Sequence, residues 1–298
     1  MKRDTIETAP AWLRGSAALM MLTFDVDAEA PILAEGRRYG EHLMLMSHQA
    51  FGPMIGVPRI LELLAEFDLR ATFFVPGLIA DRYPAAVEQM LAGGHEIGHH
   101  SYSHRPPTSL TPDEERADFE RCLEALTRHG ATVRGHRTPL SAASMHTAGL
   151  VAEYGLLYES TLMDDDRPYR LDTGSGDIIE LPPHWGLDDW LQYNFLALRG
   201  ADFRIKPPDE VIDGWISELD AMRRYGCLYV LTMHPFCSGR AGRLLGLRRL
   251  LKHAVNCQDV EFVTGTEAAQ RALADPGLAR RALARLDPNP DPSVYPRD

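Results

Sequence analysis

Histidines and carboxylates occur in this sequence at spacings that suit a metal centre. Asp25 and Asp27 are separated by one residue, and His100 and His104 lie four residues apart. Two imidazoles at that spacing, on one helical turn or tight loop, can bind one divalent ion. A carboxylate from Asp27 would add an oxygen ligand and leave positions open for water and substrate. The sequence therefore predicts one divalent metal at Asp27, His100 and His104; ligand type favours zinc, with cobalt, manganese or nickel as alternatives.

Each group of candidate residues comes shortly after a segment that is predicted to be a strand. Asp25 and Asp27 follow the predicted strand 17–24, and His100 and His104 follow 96–98. Arg137 follows the predicted strand 132–134, and His234 follows 228–232. In a (β/α) barrel the carboxyl ends of the strands form one face, and that face carries the active site. We therefore expect four loops that are remote in sequence to converge on one pocket.

Apolar runs rich in β-branched and aromatic residues alternate with amphipathic segments of helical length from residue 17 onward. This alternation is typical of βα units around a parallel sheet. We predict an α/β protein with one (β/α) barrel domain over 17–286, an N-terminal extension over 1–16 and a Pro-rich C-terminal tail over 287–298. The predicted strands are 17–24, 71–75, 96–98, 132–134, 156–159, 178–181, 228–232 and 260–263.

Two long stretches, 28–56 and 161–190, interrupt this alternation. Long loops inside a compact domain are more often functional than accidental, so both are candidates to cover the site. Aromatic rings in the second stretch could stack on a ring-shaped substrate. The residues predicted to line the pocket are Trp185, Asp188, Asp189 and Trp190, and we assign substrate binding to Trp185, Asp188 and Trp190.

The segment His95–His99 matches the His-Glu-x-x-His pattern of zinc proteases. That pattern needs both imidazoles on one face of a helix. Here the segment follows a Gly-Gly pair, contains Gly98, and lies where a strand is predicted. We therefore predict that His95 and His99 have structural roles or support the residues of the site.

Composition excludes several classes of partner. The 298 residues include 31 Lys+Arg and 42 Asp+Glu, a net charge of −11. This excess of acid does not favour binding to a phosphate backbone or an anionic lipid surface, so no nucleic-acid or membrane partner is expected. The four cysteines form no Cys-x-x-Cys pair, which is typical of reduced thiols. We expect a cytoplasmic protein that forms a homo-oligomer.

Four motifs together resemble those of the polysaccharide deacetylase family, the NodB-homology fold of carbohydrate esterase family 4. The resemblance covers about residues 17–270 and is strongest to the cytoplasmic-type branch of peptidoglycan-deacetylase-like proteins, cyclic imide hydrolases and metal-independent allantoinases. It implies a distorted (β/α) barrel of seven or eight parallel strands. The motifs are Thr23-Phe-Asp-Val-Asp27, His100-Ser-Tyr-Ser-His104, Arg137-Thr-Pro139 and Leu231-Thr-Met-His234.

The resemblance also implies a role for each site residue. The metal ligands would be Asp27, His100 and His104. Asp25, oriented by Arg137, would be the general base that takes a proton from a metal-activated water as it attacks an amide carbonyl. His234 would be the general acid that protonates the departing nitrogen. The predicted enzyme is a metal-dependent hydrolase of carbon–nitrogen bonds other than peptide bonds.

Two substrate classes and two other kinds of function stay open. The substrate is either an N-acetyl group on an amino sugar or glycan, or a small amide, cyclic imide or ureide. We favour the small molecule, because the chain shows no export signal and the long loops suit a small ligand. Two histidines and one carboxylate also form the facial triad of non-haem iron enzymes, but Asp25 and His234 would have no role in that chemistry. A non-catalytic binding protein is disfavoured because all motif positions are present.

Overall fold

Buried strands form one sheet in the computed structural model, which describes residues 10–193 and 205–286. The first strand is buried along its whole length, as expected for a central parallel strand that is covered on both faces. The strands are β1 (Ala18–Asp25), β2 (Thr72–Val75), β3 (Glu96–His99), β4 (Gly135–His136), β5 (Tyr158–Glu159), β6 (Tyr169–Asp172), β7 (Asp177–Glu180), β8 (Leu228–Met233), β9 (Val260–Phe262) and β10 (Arg280–Ala282).

Seven strands run parallel in the order β7-β5-β4-β3-β2-β1-β8. β6 pairs antiparallel with β7, β10 pairs with β6, and β9 pairs with the first part of β1. Asp188 forms a parallel bridge with Thr232 of β8, so the chain that leaves β7 reaches the opposite edge of the sheet. This is an open, distorted barrel whose paired strands do not close into a ring within the described ranges.

Helices pack against the sheet, and one of the longest begins at a sequence signal that is clear in the structure. In the helix that starts at Pro112, Thr111 and Glu114 form a capping box, each side chain accepting the backbone N–H of the other. The helices are α1 (Ala30–Ala34), α2 (Leu43–Phe51), α3 (Val57–Glu66), α4 (Gly77–Arg82), α5 (Pro84–Ala92), α6 (Pro112–Arg128), α7 (Thr147–Glu153), α8 (Asp189–Tyr193), α9 (Pro208–Tyr225), α10 (Pro235–Ser238), α11 (Ala241–Asn256) and α12 (Gly265–Leu273).

The two stretches predicted as long loops contain regular structure. The stretch 28–56 forms α1, α2 and a π-helical segment that leads into α3. The stretch 161–190 contains β7, which coincides with the predicted strand at 178–181, and β6, which was not predicted. In β6, Tyr169 and Leu171 are buried while the residues that follow each of them are half-buried. The predicted strand at 132–134 is displaced, because the residues that pair with the neighbouring strands are Gly135 and His136.

The segment that precedes β1 packs onto the domain. Trp12 and Leu13 are buried, and Trp12 N donates a hydrogen bond to Asp275 Oδ2. Residues 1–9 and the predicted C-terminal tail 287–298 lie outside the described residues. Within the part that the structure describes, none of the helices combines the length and apolar character needed to cross a membrane.

Candidate active site

The predicted site residues meet at the carboxyl ends of the strands. β1 and β8 pair in register with Phe24 opposite Met233, so Asp25 and His234 each follow the paired residue of neighbouring strands. Asp27 also follows β1, and the segments after β3 and β4 supply the other three side chains. One cavity of about 280 Å³ is lined by all six residues, Asp25, Asp27, His100, His104, Arg137 and His234.

Asp27 lies between two imidazoles. His100 Nε2 is 3.3 Å from Asp27 Oδ1, and His104 Nε2 is 3.3 Å from Asp27 Oδ2. Burial alone would raise the pKa of the Asp27 carboxyl, but the charge of His104 and the closeness of both imidazoles hold it well below its ordinary value. The arrangement is a compact, buried group of three potential metal ligands.

The hydrogen bonds of this group test whether it fits a metal ion. His100 Nδ1 lies 2.7 Å from the carbonyl oxygen of Arg137, which can only accept, so Nδ1 carries the hydrogen. When His100 is neutral, as metal binding requires, its Nε2 presents a lone pair to Asp27 Oδ1, a buried acceptor without a hydrogen-bond partner among the described residues. Two facing acceptors need a cation, and two nitrogens with one carboxylate are a donor set that divalent metals bind. The three residues therefore fit the implied metal.

A tight turn brings His100 and His104 together. Ser101 and His104 both have a φ of 58°, so this segment is not a helix. Ser101 Oγ accepts a hydrogen bond from His104 N, and the Asp118 carboxylate accepts from the backbone N–H groups of Tyr102 and Ser103. The polar residues of the motif thus fix a left-handed turn that few non-glycine residues adopt unaided.

Arg137 holds Asp25 in place. Its Nη1 donates to Asp25 Oδ1 at 2.9 Å and to Thr23 Oγ1 at 2.7 Å. Its Nε and Nη2 donate to the carbonyl oxygen and hydroxyl of Ser160, and the guanidinium lies 4.4 Å from the centre of the Phe74 ring. The guanidinium is therefore fixed on several sides, and one oxygen of Asp25 is committed to it.

His234 is held by a carboxylate that lies behind it. Asp189 accepts hydrogen bonds from His234 Nδ1 at 2.7 Å, from His234 N at 3.0 Å, and from the Ser238 hydroxyl. The other ring nitrogen, Nε2, is 3.6 Å from Asp27 Oδ2. Burial alone would lower the pKa of His234, but the hydrogen bond and charge of Asp189, with the charges of Asp27 and Asp188, raise it to about 10. The imidazole is thus a protonated group whose Nε2 is directed into the cavity.

The structure separates the two adjacent aspartates that the sequence grouped together. Asp188 lines the cavity, and burial, with the charges of Asp189 and Asp25, raises its pKa to about 7. Asp189 is fully buried behind His234 and is not among the residues that line the cavity. The prediction that Asp189 lines the pocket is therefore wrong. The contact between Asp189 and His234 depends on the bridge between Asp188 and Thr232, which the local sequence does not reveal.

The other predicted substrate-binding residues lie at the mouth of the cavity. Trp185 is 63% exposed, whereas the Trp190 ring packs edge-on against His234 with 5.2 Å between ring centres. The rim is largely apolar and includes Leu140, Met163, Pro183, Trp185, Trp190 and Leu191.

The zinc-protease pattern lies on a strand, as predicted. β3 spans Glu96–His99, and neither His95 nor His99 lines the cavity. His95 Nδ1 accepts a hydrogen bond from Ala71 N, and His99 Nε2 contacts the carbonyl oxygen of Phe119. Both histidines are packed within the fold.

Comparisons with known proteins agree with this geometry. A family profile described as polysaccharide deacetylase matches residues 51–158. A peptidoglycan deacetylase from Helicobacter pylori is 26% identical over 255 residues, which cover 76% of this chain and 87% of that protein. An allantoinase of known structure shares the fold, with a TM-score of 0.78 and 22% identity over 90% of this chain and 94% of that chain.

A crystal structure from Mycobacterium smegmatis provides the strongest of these comparisons. It is that of a candidate polysaccharide deacetylase, and it matches with a TM-score of 0.85 and 42% identity over 90% of this chain and 94% of that chain. The predicted distorted (β/α) barrel is confirmed by these matches. The chain therefore belongs to the polysaccharide deacetylase family.

Proposed function

We propose that this deacetylase-type hydrolase cleaves the carbon–nitrogen bond of a small amide or cyclic imide with the help of a divalent metal. One observation carries the proposal: a single cavity contains a His-His-Asp cluster, a carboxylate held by an arginine and an imidazole held by a carboxylate. A hydrolase of this bond needs a proton acceptor for water and a proton donor for the departing nitrogen. The cavity supplies both.

The reaction follows from the partners of each side chain. Asp25, oriented by Arg137, takes the proton of the attacking water. Asp27, His100 and His104 would hold a divalent ion, which would supply Lewis-acid chemistry for a carbonyl oxygen and for the attacking water. His234 gives its Nε2 proton to the departing nitrogen, while Asp189 retains the hydrogen bond to Nδ1.

The size and rim of the cavity favour a small substrate. A volume of about 280 Å³ accommodates a small ring rather than several sugar units. The exposed ring of Trp185 is free to stack on a planar imide. Asp188 lies close enough to the proton donor His234 to accept a hydrogen bond from an N–H group of the substrate ring. The shared fold of an allantoinase, whose name denotes a cyclic ureide as substrate, supports the same class.

A second candidate is an N-acetylglucosamine or peptidoglycan deacetylase. The observation that favours it is the similarity to the peptidoglycan deacetylase of Helicobacter pylori over most of both chains. The reacting bond would be the same, and an amino sugar would stack on the exposed Trp185. We propose zinc as the metal in either case, since nitrogen and carboxylate ligands suit it. Cytoplasmic localisation and homo-oligomer formation stay predictions.

An assay of the metal-reconstituted protein tests the proposal. The protein is stripped of metal, reloaded with zinc, cobalt, manganese or nickel, and offered succinimide-type imides, allantoin, N-acetylglucosamine and chito-oligomers, with products identified by mass. We expect metal-dependent ring opening of an imide or ureide. Release of acetate from amino sugars without any ring opening would favour the second candidate, and equal turnover with and without metal would contradict the metal requirement.

A further inference from the structure

Three side chains with metal-binding atoms meet between two helices, outside the active site. Asp220 lies on α9, whereas His253 lies in the last turn of α11 and Cys257 directly follows that helix. Residues four apart along a helix are neighbours, so His253 and Cys257 lie side by side. One ligand atom from each of the three residues lies within 4.8 Å of the other two. We call these three residues the helix cluster.

The helix cluster and the cavity lie at opposite ends of the sheet. Asp259, two residues after Cys257, accepts a hydrogen bond from Ala17 N through its carbonyl oxygen, and Ala17 directly precedes β1. The cavity is instead lined by Asp25, the last residue of β1. A strand of this length spans about 26 Å at 3.3 Å per residue. The helix cluster is therefore a separate group of potential ligands.

The distances within the helix cluster suit a tetrahedral ion. His253 Nε2 is 3.2 Å from Asp220 Oδ1 and 3.8 Å from Cys257 Sγ. In a tetrahedral zinc site with ordinary bond lengths, a nitrogen and an oxygen ligand are about 3.3 Å apart, and a nitrogen and a sulfur ligand about 3.6 Å apart. Small movements of the side chains would therefore place all three atoms around one ion.

Hydrogen bonds cannot account for both contacts of the histidine. The carboxylate and the thiol approach the same ring nitrogen, Nε2 of His253. That nitrogen carries either one hydrogen or one lone pair, so it can form a well-directed hydrogen bond with only one of the two partners. A cation would instead be shared by all three atoms. Carboxylate, imidazole and thiolate are the side-chain ligands of zinc.

The charges around the helix cluster leave room for a cation. Arg223 Nη1 donates to Asp220 Oδ1 at 2.9 Å, and its Nε donates to Asp259 Oδ1 at 3.0 Å, so one guanidinium faces two carboxylates. A carboxylate has about four lone-pair sites, so Asp220 can keep Arg223 and still bind an ion. The side chains of His253 and Asp220 are 33% and 42% exposed, so an ion can enter from solvent and a water molecule can complete its coordination.

We propose that Asp220, His253 and Cys257 bind a second divalent cation, of the zinc class, that ties α9 to the end of α11. The ligands come from two helices and approach only in the folded chain. The ion would therefore stabilise the folded state, because the unfolded chain contains no preformed site. The inference is independent of the proposed function, since no residue of the active site takes part in it.

Cobalt(II) distinguishes this site from the active site, because sulfur is present only in the helix cluster. A thiolate bound to cobalt gives a charge-transfer band in the near ultraviolet, which Asp27, His100 and His104 cannot produce. The remaining cysteines are buried; they are Cys122, Cys227 and Cys237. In the full chain with its thiols reduced, we expect Asp27→Ala to develop this band with saturation at one cobalt per chain. Added zinc should abolish the band.

Two further substitutions test the ligands. Cys257→Ala should lose the band, and Asp220→Asn should weaken cobalt binding by at least the 10–100-fold that changes behind metal ligands cost. Asp220→Asn keeps the volume of the side chain and an oxygen for Arg223, so it tests the site even if Cys257→Ala does not fold. His253→Gln should also lose most of the binding, whereas the exposed control His146→Gln should bind cobalt normally.

Thermal unfolding provides a second readout. Zinc should raise the melting temperature of Asp27→Ala, in which a ligand of the active site is removed, and it should have no such effect when Cys257→Ala is added. Absence of the near-ultraviolet band, a band without saturation, or a band that persists in Cys257→Ala would overturn the proposal. These measurements use no substrate, so a failure of the proposed hydrolase activity would leave their outcome unchanged.

Discussion

Each reactive side chain of the site is held by a partner that leaves one atom free for chemistry. Arg137 occupies one oxygen of Asp25, and Asp189 occupies one ring nitrogen of His234. Such partners fix the orientation of a group before the substrate arrives, so the free-energy cost of orienting it is not part of the reaction barrier. The two pairs can be tested separately, because each partner can be changed without altering a metal ligand.

Asp25→Asn tests the base. The amide keeps the shape and a hydrogen-bonding oxygen for Arg137 but cannot accept the proton of water, so we expect kcat to fall by about 10²–10⁴-fold. Cobalt binding, followed by absorption, should be retained because the ligand atoms are untouched. Turnover within a few-fold of the unmodified enzyme would refute the role of Asp25; the exposed Asp209→Asn serves as the matched control.

Asp189→Asn tests the partner of the acid. An amide cannot serve as the same charged acceptor for His234 Nδ1–H, and loss of the correct tautomer in a comparable imidazole–carboxylate pair costs about 10⁴-fold. We expect kcat to fall by about 10³-fold or more while KM changes little. Ser238→Ala removes one hydrogen bond to the same carboxylate and should cost only about tenfold. Equal effects of the two changes would argue against the assigned role of Asp189.

At the scale of the elements, the closeness of β4 and β5 depends on a glycine. A Cβ atom on Gly135 would lie 1.9 Å from Cζ of the buried Tyr158 ring. We expect Gly135→Ala to lower the free energy of unfolding by about 1–3 kcal/mol, measured by urea denaturation, because overpacking forces the backbone to move. Gly214→Ala in α9, where no described atom lies within 4 Å of the added Cβ, is the matched control and should be neutral or stabilising.

The start of β3 contains a histidine that should make the protein sensitive to acid. His95 Nδ1 accepts a hydrogen bond from Ala71 N, and burial, with the charge of Arg70, lowers its pKa to about 4. The unfolded chain takes up this proton near pH 6.5, so stability from His95 is complete above that pH and is lost as pH falls towards 4, by up to about 3 kcal/mol.

Urea unfolding near pH 7 and near pH 4.5 measures this loss. His95→Gln keeps an acceptor for Ala71 N but does not titrate, so its stability should fall less between the two pH values. An equal fall in both proteins would exclude His95 as a source of the acid sensitivity.

Sequence patterns sufficed for the strands that carry the site, and they failed where pairing depends on distant partners. The runs before Asp25 and His234 are strongly apolar, so their ends could be located from the sequence. β6 was missed because its alternation is visible only once β7 is its antiparallel partner. Asp189 lies behind His234 because the chain passes from β7 to β8, at the opposite edge of the sheet. The residues around Asp189 contain no signal for this path.

At the scale of the whole molecule, a bound metal should stabilise the fold. Its predicted ligands come from the ends of β1 and β3, which are separated by more than seventy residues of sequence and approach only in the folded state. A metal at 100 times its dissociation constant would add about 2.7 kcal/mol to the free energy of unfolding. We expect zinc or cobalt to raise the melting temperature, a chelator to reverse the effect, and Asp27→Ala to reduce it. An equal shift in Asp27→Ala would place the metal elsewhere.

The register of β1 against β8 limits what the site can do. With Phe24 opposite Met233, Asp25 and His234 stand on neighbouring strands one residue further on, and such strands lie about 4.8 Å apart. The path of a proton from the water to the departing nitrogen is therefore set by the spacing of a sheet, whereas the rest of the substrate meets the loops at the rim. Changes in those loops can alter which molecule is cleaved without lengthening that path.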